Sequence, residues 1–90
     1  MYRIYEKLEV RKRLGYLPPQ VLRKYNMWKA LVTTSGPFVL RNFPGYHDEA
    51  LKGQWEGCRS SRLNIQFRVI YSVNSAEEIV YVDAVTPHEY

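Results

Sequence analysis

Two hydrophobic periods divide the chain. Val21, Leu22, Tyr25, Trp28, Leu31 and Val32 recur at helical spacing, so residues 19–34 read as an amphipathic helix. Pro19 suits its first turn and Gly36-Pro37 ends it. Upstream, the short aromatic stretch from Tyr2 to Tyr5 reads as a first strand. Residues 6–14 follow as a helix with Gly15 as its stop. From Gln54 onward the pattern turns β. The runs from Trp55 to Leu63 and from Phe67 to Val73 flank Asn64-Ile65-Gln66. A three-residue loop there pairs Leu63 with Phe67 and Arg62 with Arg68. A turn at Asn74-Ser75-Ala76-Glu77 leads to a last strand from Ile79 to Val85. Between these halves, residues 38–46 fit a helical turn or an extended segment equally well. Asp48 is expected to cap one short helical turn that Gly53 closes. The economical arrangement is α+β, with two N-terminal helices packed on one face of a small, mostly antiparallel twisted sheet. At this length, residues 1–90 are expected to form one domain.

Composition narrows the function classes. With 13 Lys and Arg against 9 Asp and Glu, the net charge of +4 favours a polyanionic partner, though only mildly. Cys58 is the single cysteine, so no internal disulfide forms and a cytoplasmic location is expected. No CxxC or HExxH is present, and His47 and His88 are far apart in sequence. No metal and no cofactor are therefore expected. The N-terminus lacks an apolar signal region and no stretch reaches membrane-spanning length, so no membrane partner is expected.

The candidate chemistry sits in the second half. Arg62 and Arg68 face each other if the hairpin register holds. Like charges directly opposed on a sheet repel, whereas a phosphate between two guanidinium forks suits both. The alternative is that one or both pair with Glu49, Glu56 or Asp83, or face solvent. Glu49 and Lys52 share a face of the expected helical turn, either as a surface ion pair or as a base and a phosphate contact. His88 follows the last strand and titrates near neutral pH; Tyr90 offers a ring for stacking or a proton. His47, beside an acidic pair, is a lesser candidate. Arg11-Lys12-Arg13 is a solvated face, an extension of a positive groove, or a site for an acidic segment. Val21, Leu22, Tyr25 and Trp28 are core, and Trp55 is core or half-buried. Cys58 has no nucleophile context.

Taken in order, Glu49-x-Leu51-Lys52-Gly53, Arg59-Ser60-Ser61-Arg62-Leu63-Asn64, Phe67-Arg68-Val69-Ile70-Tyr71 and His88-Glu89-Tyr90 resemble the RelE/HigB family of bacterial type II toxins. Leu17-Pro18 before a helix bearing Tyr25 and Trp28 fits their helical half. The resemblance is closest to the HigB-like and YoeB-like branches, and the spacing from Glu49 to Arg68 matches the latter without a gap. It implies ribosome-dependent endoribonuclease cleavage of mRNA and inhibition by a cognate antitoxin. It places Glu49 on the general base, Arg68 on the phosphate-binding arginine and His88 on the general acid. Tyr90 falls near a tyrosine that the branch places directly after histidine, whereas Glu89 intervenes here. Lys52, Arg59 and Arg62 are the further RNA-binding candidates. Two other readings remain open: a ParE-like toxin acting on gyrase, and a non-enzymatic binding module of the same fold.

Overall fold

The computed structural model describes residues 1–87. His88, Glu89 and Tyr90 lie outside the described residues. Strand β1 (Arg3–Glu6) is followed by helix α1 (Leu8–Leu14) and the long helix α2 (Pro19–Ser35). Three short 3₁₀ turns, Pro37–Asn42, Pro44–Tyr46 and Gly53–Trp55, surround strand β2 (Glu49–Ala50). Strands β3 (Arg59–Arg62), β4 (Phe67–Asn74) and β5 (Ile79–Pro87) complete the order. The fold is α+β, as the hydrophobic pattern predicts. One five-stranded sheet runs β1-β5-β4-β3-β2. All neighbours are antiparallel except β1, which lies parallel to β5.

Helix α2 forms because one of its faces is apolar. Val21, Tyr25, Trp28 and Val32 are fully buried, at the i, i+4, i+7 and i+11 positions that fall on a single stripe. They pack with Val69, Tyr71, Val80 and Val82 from the sheet. The Trp28 ring meets Tyr71 edge-on, with centroids 5.3 Å apart. Gly36 ends the helix at φ +81°, and its missing Cβ leaves room for the Tyr2 ring, which a Cβ would meet at 3.2 Å. Helix α1 flanks the second half of β5, which β1 leaves unpaired, and Arg13 donates to the Val85 carbonyl at 3.5 Å.

The hairpin register holds. Arg62 lies opposite Arg68, and the Leu63 N–H donates to the Phe67 carbonyl at 2.9 Å. Asn64 closes the loop, its side-chain oxygen accepting from the Gln66 and Phe67 N–H groups at 2.8 and 2.6 Å. Three local expectations fail. Helix α1 starts at Leu8, because Glu6 is taken into β1. Residues 48–53 form no helical turn: Glu49 and Ala50 pair with Ser60 and Arg59 as an edge strand. The run from Trp55 to Leu63 is strand only over 59–62, since Gly53 and Gly57 at positive φ turn the chain before it can pair. Trp55 itself is half-buried. At the other end β5 continues past Val85 to Pro87, where it still finds Phe67 of β4 as a partner.

One polar contact ties β1 to α2. Tyr25 donates to a Glu6 carboxylate oxygen at 2.5 Å, and Lys29 reaches the same oxygen at 3.1 Å. Burial pushes the Glu6 carboxyl up, but the bonds from Tyr25 and Lys29 outweigh it and hold the group below its ordinary value of 4.5. A depressed folded-state pKa stabilises the fold above the unfolded pKa, and that stability is lost as pH falls through the folded value. The unfolding free energy should therefore fall as pH drops below about 4.5. Glu6→Gln should flatten this acid limb in denaturant melts across pH. An unchanged limb would assign acid sensitivity to other carboxylates.

Candidate functional site

Side-chain alternation splits the sheet into two faces. Val69, Tyr71, Val80 and Val82 point toward α2. Arg68, Ile70 and Ser72 of β4 therefore point to the opposite face. Register carries that face across the sheet: Arg62 and Ser60 on β3, Glu49 on β2, and Thr86 on β5 opposite Arg68.

Arg68 is the centre of this face. It is only 3% exposed, unusual for an arginine. One Nη1–H donates to the Ser60 hydroxyl at 3.3 Å. The same nitrogen lies 4.0 Å from a Glu49 carboxylate oxygen, beyond hydrogen-bond reach. Among the described residues, the Arg68 Nε–H is a buried donor with no acceptor. A buried guanidinium is expected to be paired. Here its carboxylate stands off, half-exposed, and Arg62 sits directly across the strand. That leaves a buried guanidinium whose donors are only partly met among the described residues. Beside Glu49 a cleft of about 290 Å³ runs over Arg41, Phe43 and His47. A larger cleft lies elsewhere, between β1 and α2, and none of the candidate residues lines it.

Comparison with known proteins adds to this geometry. No family model matches the sequence, and no curated protein does. Solved structures match over nearly the whole chain. RelE in the archaeal RelE–RelB complex of Pyrococcus horikoshii superposes with a TM-score of 0.78 at 25% identity, covering 98% of this chain and 96% of the other. YafQ of E. coli gives 0.78 at 13% identity, covering 98% and 94%. A chain of the YoeB–YefM complex of Staphylococcus aureus gives 0.75 at 18% identity, covering 98% of both. The chain has the RelE-like toxin fold.

Within this toxin fold, the sequence-derived candidates separate. Glu49, Arg62 and Arg68 come together on the face opposite α2. Lys52 is exposed in the turn after β2. Since no helical turn forms there, it shares no helix face with Glu49. Arg59 is not at the site. It points to the α2 side, where its Nε and Nη2 both reach Asp48 Oδ1 at 2.8 Å. His47 is exposed in a left-handed turn at φ 45°. His88 and Tyr90 lie outside the described residues. The last described residue, Pro87, lies opposite Phe67, one position from the Arg68–Thr86 pair. No three His, Cys, Asp or Glu side chains among the described residues gather closely enough to hold a metal ion.

Local sequence rules do not show the role of Asp48. Rather than capping a helix, its fully buried carboxylate accepts from Arg59, from Ser61 at 2.6 Å, and from the Tyr71 hydroxyl. Ser61 in turn accepts from the Trp28 indole at 3.0 Å. Burial, then the Asp48 charge, push the Tyr71 hydroxyl well above the ordinary phenol range, while Arg59 pulls it back in part. The signal was in the register. Arg59, Ser61 and Tyr71 share the face toward α2, where a partly buried arginine needs a carboxylate.

Proposed function

We propose that this chain is the toxin of a toxin–antitoxin pair and an endoribonuclease that cuts mRNA on the ribosome. The observation that carries this reading is Arg68, a buried cation with a spare donor and a second arginine opposite. The RelE-like fold supplies the context. In this reading a phosphate of the RNA takes the place between Arg68 and Arg62. The 2′-hydroxyl beside it gives its proton to Glu49 and attacks phosphorus. The five-coordinate phosphorane gains negative charge, which Arg68 and Arg62 share unequally: the desolvated Arg68 takes most of it. His88 protonates the leaving 5′-oxygen, and Tyr90 stacks on a base or assists. Lys52, exposed on the same edge, is assigned to a neighbouring phosphate. The 4.0 Å gap between Glu49 and Arg68 matters here, because a carboxylate locked into a tight ion pair is a poorer base. The products are a 2′,3′-cyclic phosphate and a free 5′-hydroxyl, and the chemical step needs no metal.

The partner of the neighbouring structures motivates the second half of the proposal. The Pyrococcus and Staphylococcus chains were solved in complex with RelB and YefM. A cognate antitoxin, acidic enough to meet a chain of net charge +4, is assigned as the inhibitor.

Expression of the chain alone should arrest growth and create new 5′ ends within codons of ribosome-bound mRNA. Those first-cut ends should be hydroxyls, detected by their need for kinase treatment before ligation. Ends bearing 5′-phosphate would overturn the mechanism. Double-strand DNA breaks with intact mRNA would instead assign the chain to gyrase, and arrest with neither lesion would assign it to a binding module.

A further inference from the structure

The face that carries Arg68 does not end there. Along β4 it continues through Ile70 to Ser72, whose partner on β5 is Tyr81. Tyr81 in turn lies beside Tyr5 of β1. The two rings stack with centroids 6.0 Å apart and planes 24° from parallel. Both remain well exposed, Tyr5 at 49% and Tyr81 at 40%. The Arg3 guanidinium stands over the Tyr5 ring at 5.9 Å. An aromatic pair this open gains little from burial. It presents flat apolar surface and a cation on the same side of the sheet as the anion site.

We propose that Tyr5 and Tyr81 form a stacking platform for unpaired bases of single-stranded RNA. The proposal deepens the endoribonuclease reading and rests on it. Ser72 is four positions along the strand from Arg68, Tyr81 is one strand over and Tyr5 two, which puts the two rings about 14 and 16 Å from Arg68. At about 3.4 Å per stacked nucleotide, that is about four to five nucleotides from the scissile phosphate. Charge complementarity selects the occupant: Arg3 borders the platform and Arg62 and Arg68 hold the other end. Asp83, on β5 beside Ser72, is engaged by Lys7 at 3.3 Å and Ser72 at 3.1 Å. Aromatic faces accept any base, so this end supplies grip and direction rather than sequence choice. Tyr5 and Tyr81 are thus positioning residues, remote from the reacting atoms.

The test uses the full chain and a fluorescent octauridylate with 2′-O-methyl groups, which cannot be cleaved. Tyr81→Val keeps β-propensity but removes the flat ring. It should weaken binding about 5- to 140-fold, which is about 1–3 kcal/mol for one base–aromatic stack. Tyr81→Phe should bind as the wild type. A ladder of the same RNA with one abasic position should locate the stacked base. Its removal should weaken wild-type binding but cost the Tyr81→Val variant little more, which a purely structural role for the ring would not produce. Thermal melts of each variant show that the chain is folded at the assay temperature. Equal affinity of wild type and Tyr81→Val overturns the platform, as does additive loss from the two changes or the absence of binding at millimolar RNA. The separate cleavage assay with Arg68 variants keeps the two ideas distinguishable. Cleavage by Arg68→Met at the wild-type rate there, with intact binding here, would remove the proposed nuclease site and leave the platform standing.

Discussion

Arg68→Met should slow single-turnover mRNA cleavage on saturated ribosomes by about 100- to 1,000-fold, the usual effect of deleting one donor to a developing oxyanion. The same change should leave the protein as stable as before or more so. The two expectations come from one fact. In the free chain Arg68 is almost fully buried, its Nε–H lacks an acceptor among the described residues, and its nearest carboxylate is 4.0 Å away. Burying an unpaired donor costs about 1–3 kcal/mol, more for a charged group. Methionine fills similar volume without that cost, and replacing buried charges with apolar side chains is often neutral or stabilising. A residue that destabilises the empty fold and is retained by the chemistry is the signature of a functional site. Arg68→Lys should recover only part of the rate, since an ammonium cannot span two phosphate oxygens. Denaturant melts and end-mapping of cleaved message check both halves. A loss of more than about 2 kcal/mol in Arg68→Met, on the scale of a damaged core, would make the guanidinium structural and remove the main support for the proposed nuclease.

Much of this was legible in the residues. The helical stripe of α2 was readable because Val21, Tyr25, Trp28 and Val32 are set by burial alone, and burial is periodic. The Arg62–Arg68 pairing was readable because a three-residue loop with Asn64 fixes register locally. What escaped was set at long range. Glu49 and Ala50 are too few to carry a strand pattern; they are extended because β3 offers them an edge. Asp48 looked like a helix cap because local rules favour aspartate there, yet Arg59, Ser61 and Tyr71 compete for it from 11, 13 and 23 residues away. The same competition explains Arg59. As a residue type it suits RNA, but once its neighbour Ser60 faces the open side, alternation commits Arg59 to the α2 side. Parallel pairing of β1 with β5 also had no local mark, so the Tyr5–Tyr81 stack could not be anticipated.

Asp48→Ala should be the most destabilising single change outside the apolar core. The carboxylate is fully buried and serves three donors: the Arg59 guanidinium at 2.8 Å, the Ser61 hydroxyl at 2.6 Å and the Tyr71 hydroxyl. Its removal strands a partly buried cation and two hydroxyls at once, which costs about 3–5 kcal/mol when one partner of a buried pair is deleted. A domain of this size holds only about 5–13 kcal/mol in total. The melting temperature should fall by 10 °C or more, at about 4–8 °C per kcal/mol. Tyr71→Phe removes one donor and should cost only about 1 kcal/mol. Asp48→Leu combined with Arg59→Met should regain much of the loss, because no charge is then left unpaired. The network also reaches the chemistry. Asp48 directly precedes Glu49, and its three bonds fix where β2 meets β3 opposite Ser60. In the proposed nuclease, even a well-folded Asp48 variant at low temperature should therefore cleave more slowly, with Glu49 no longer held to the Arg68 side. If Asp48→Ala costs less than about 1 kcal/mol, packing of Trp28 and Tyr71 alone places β2, and Asp48 has no positioning role.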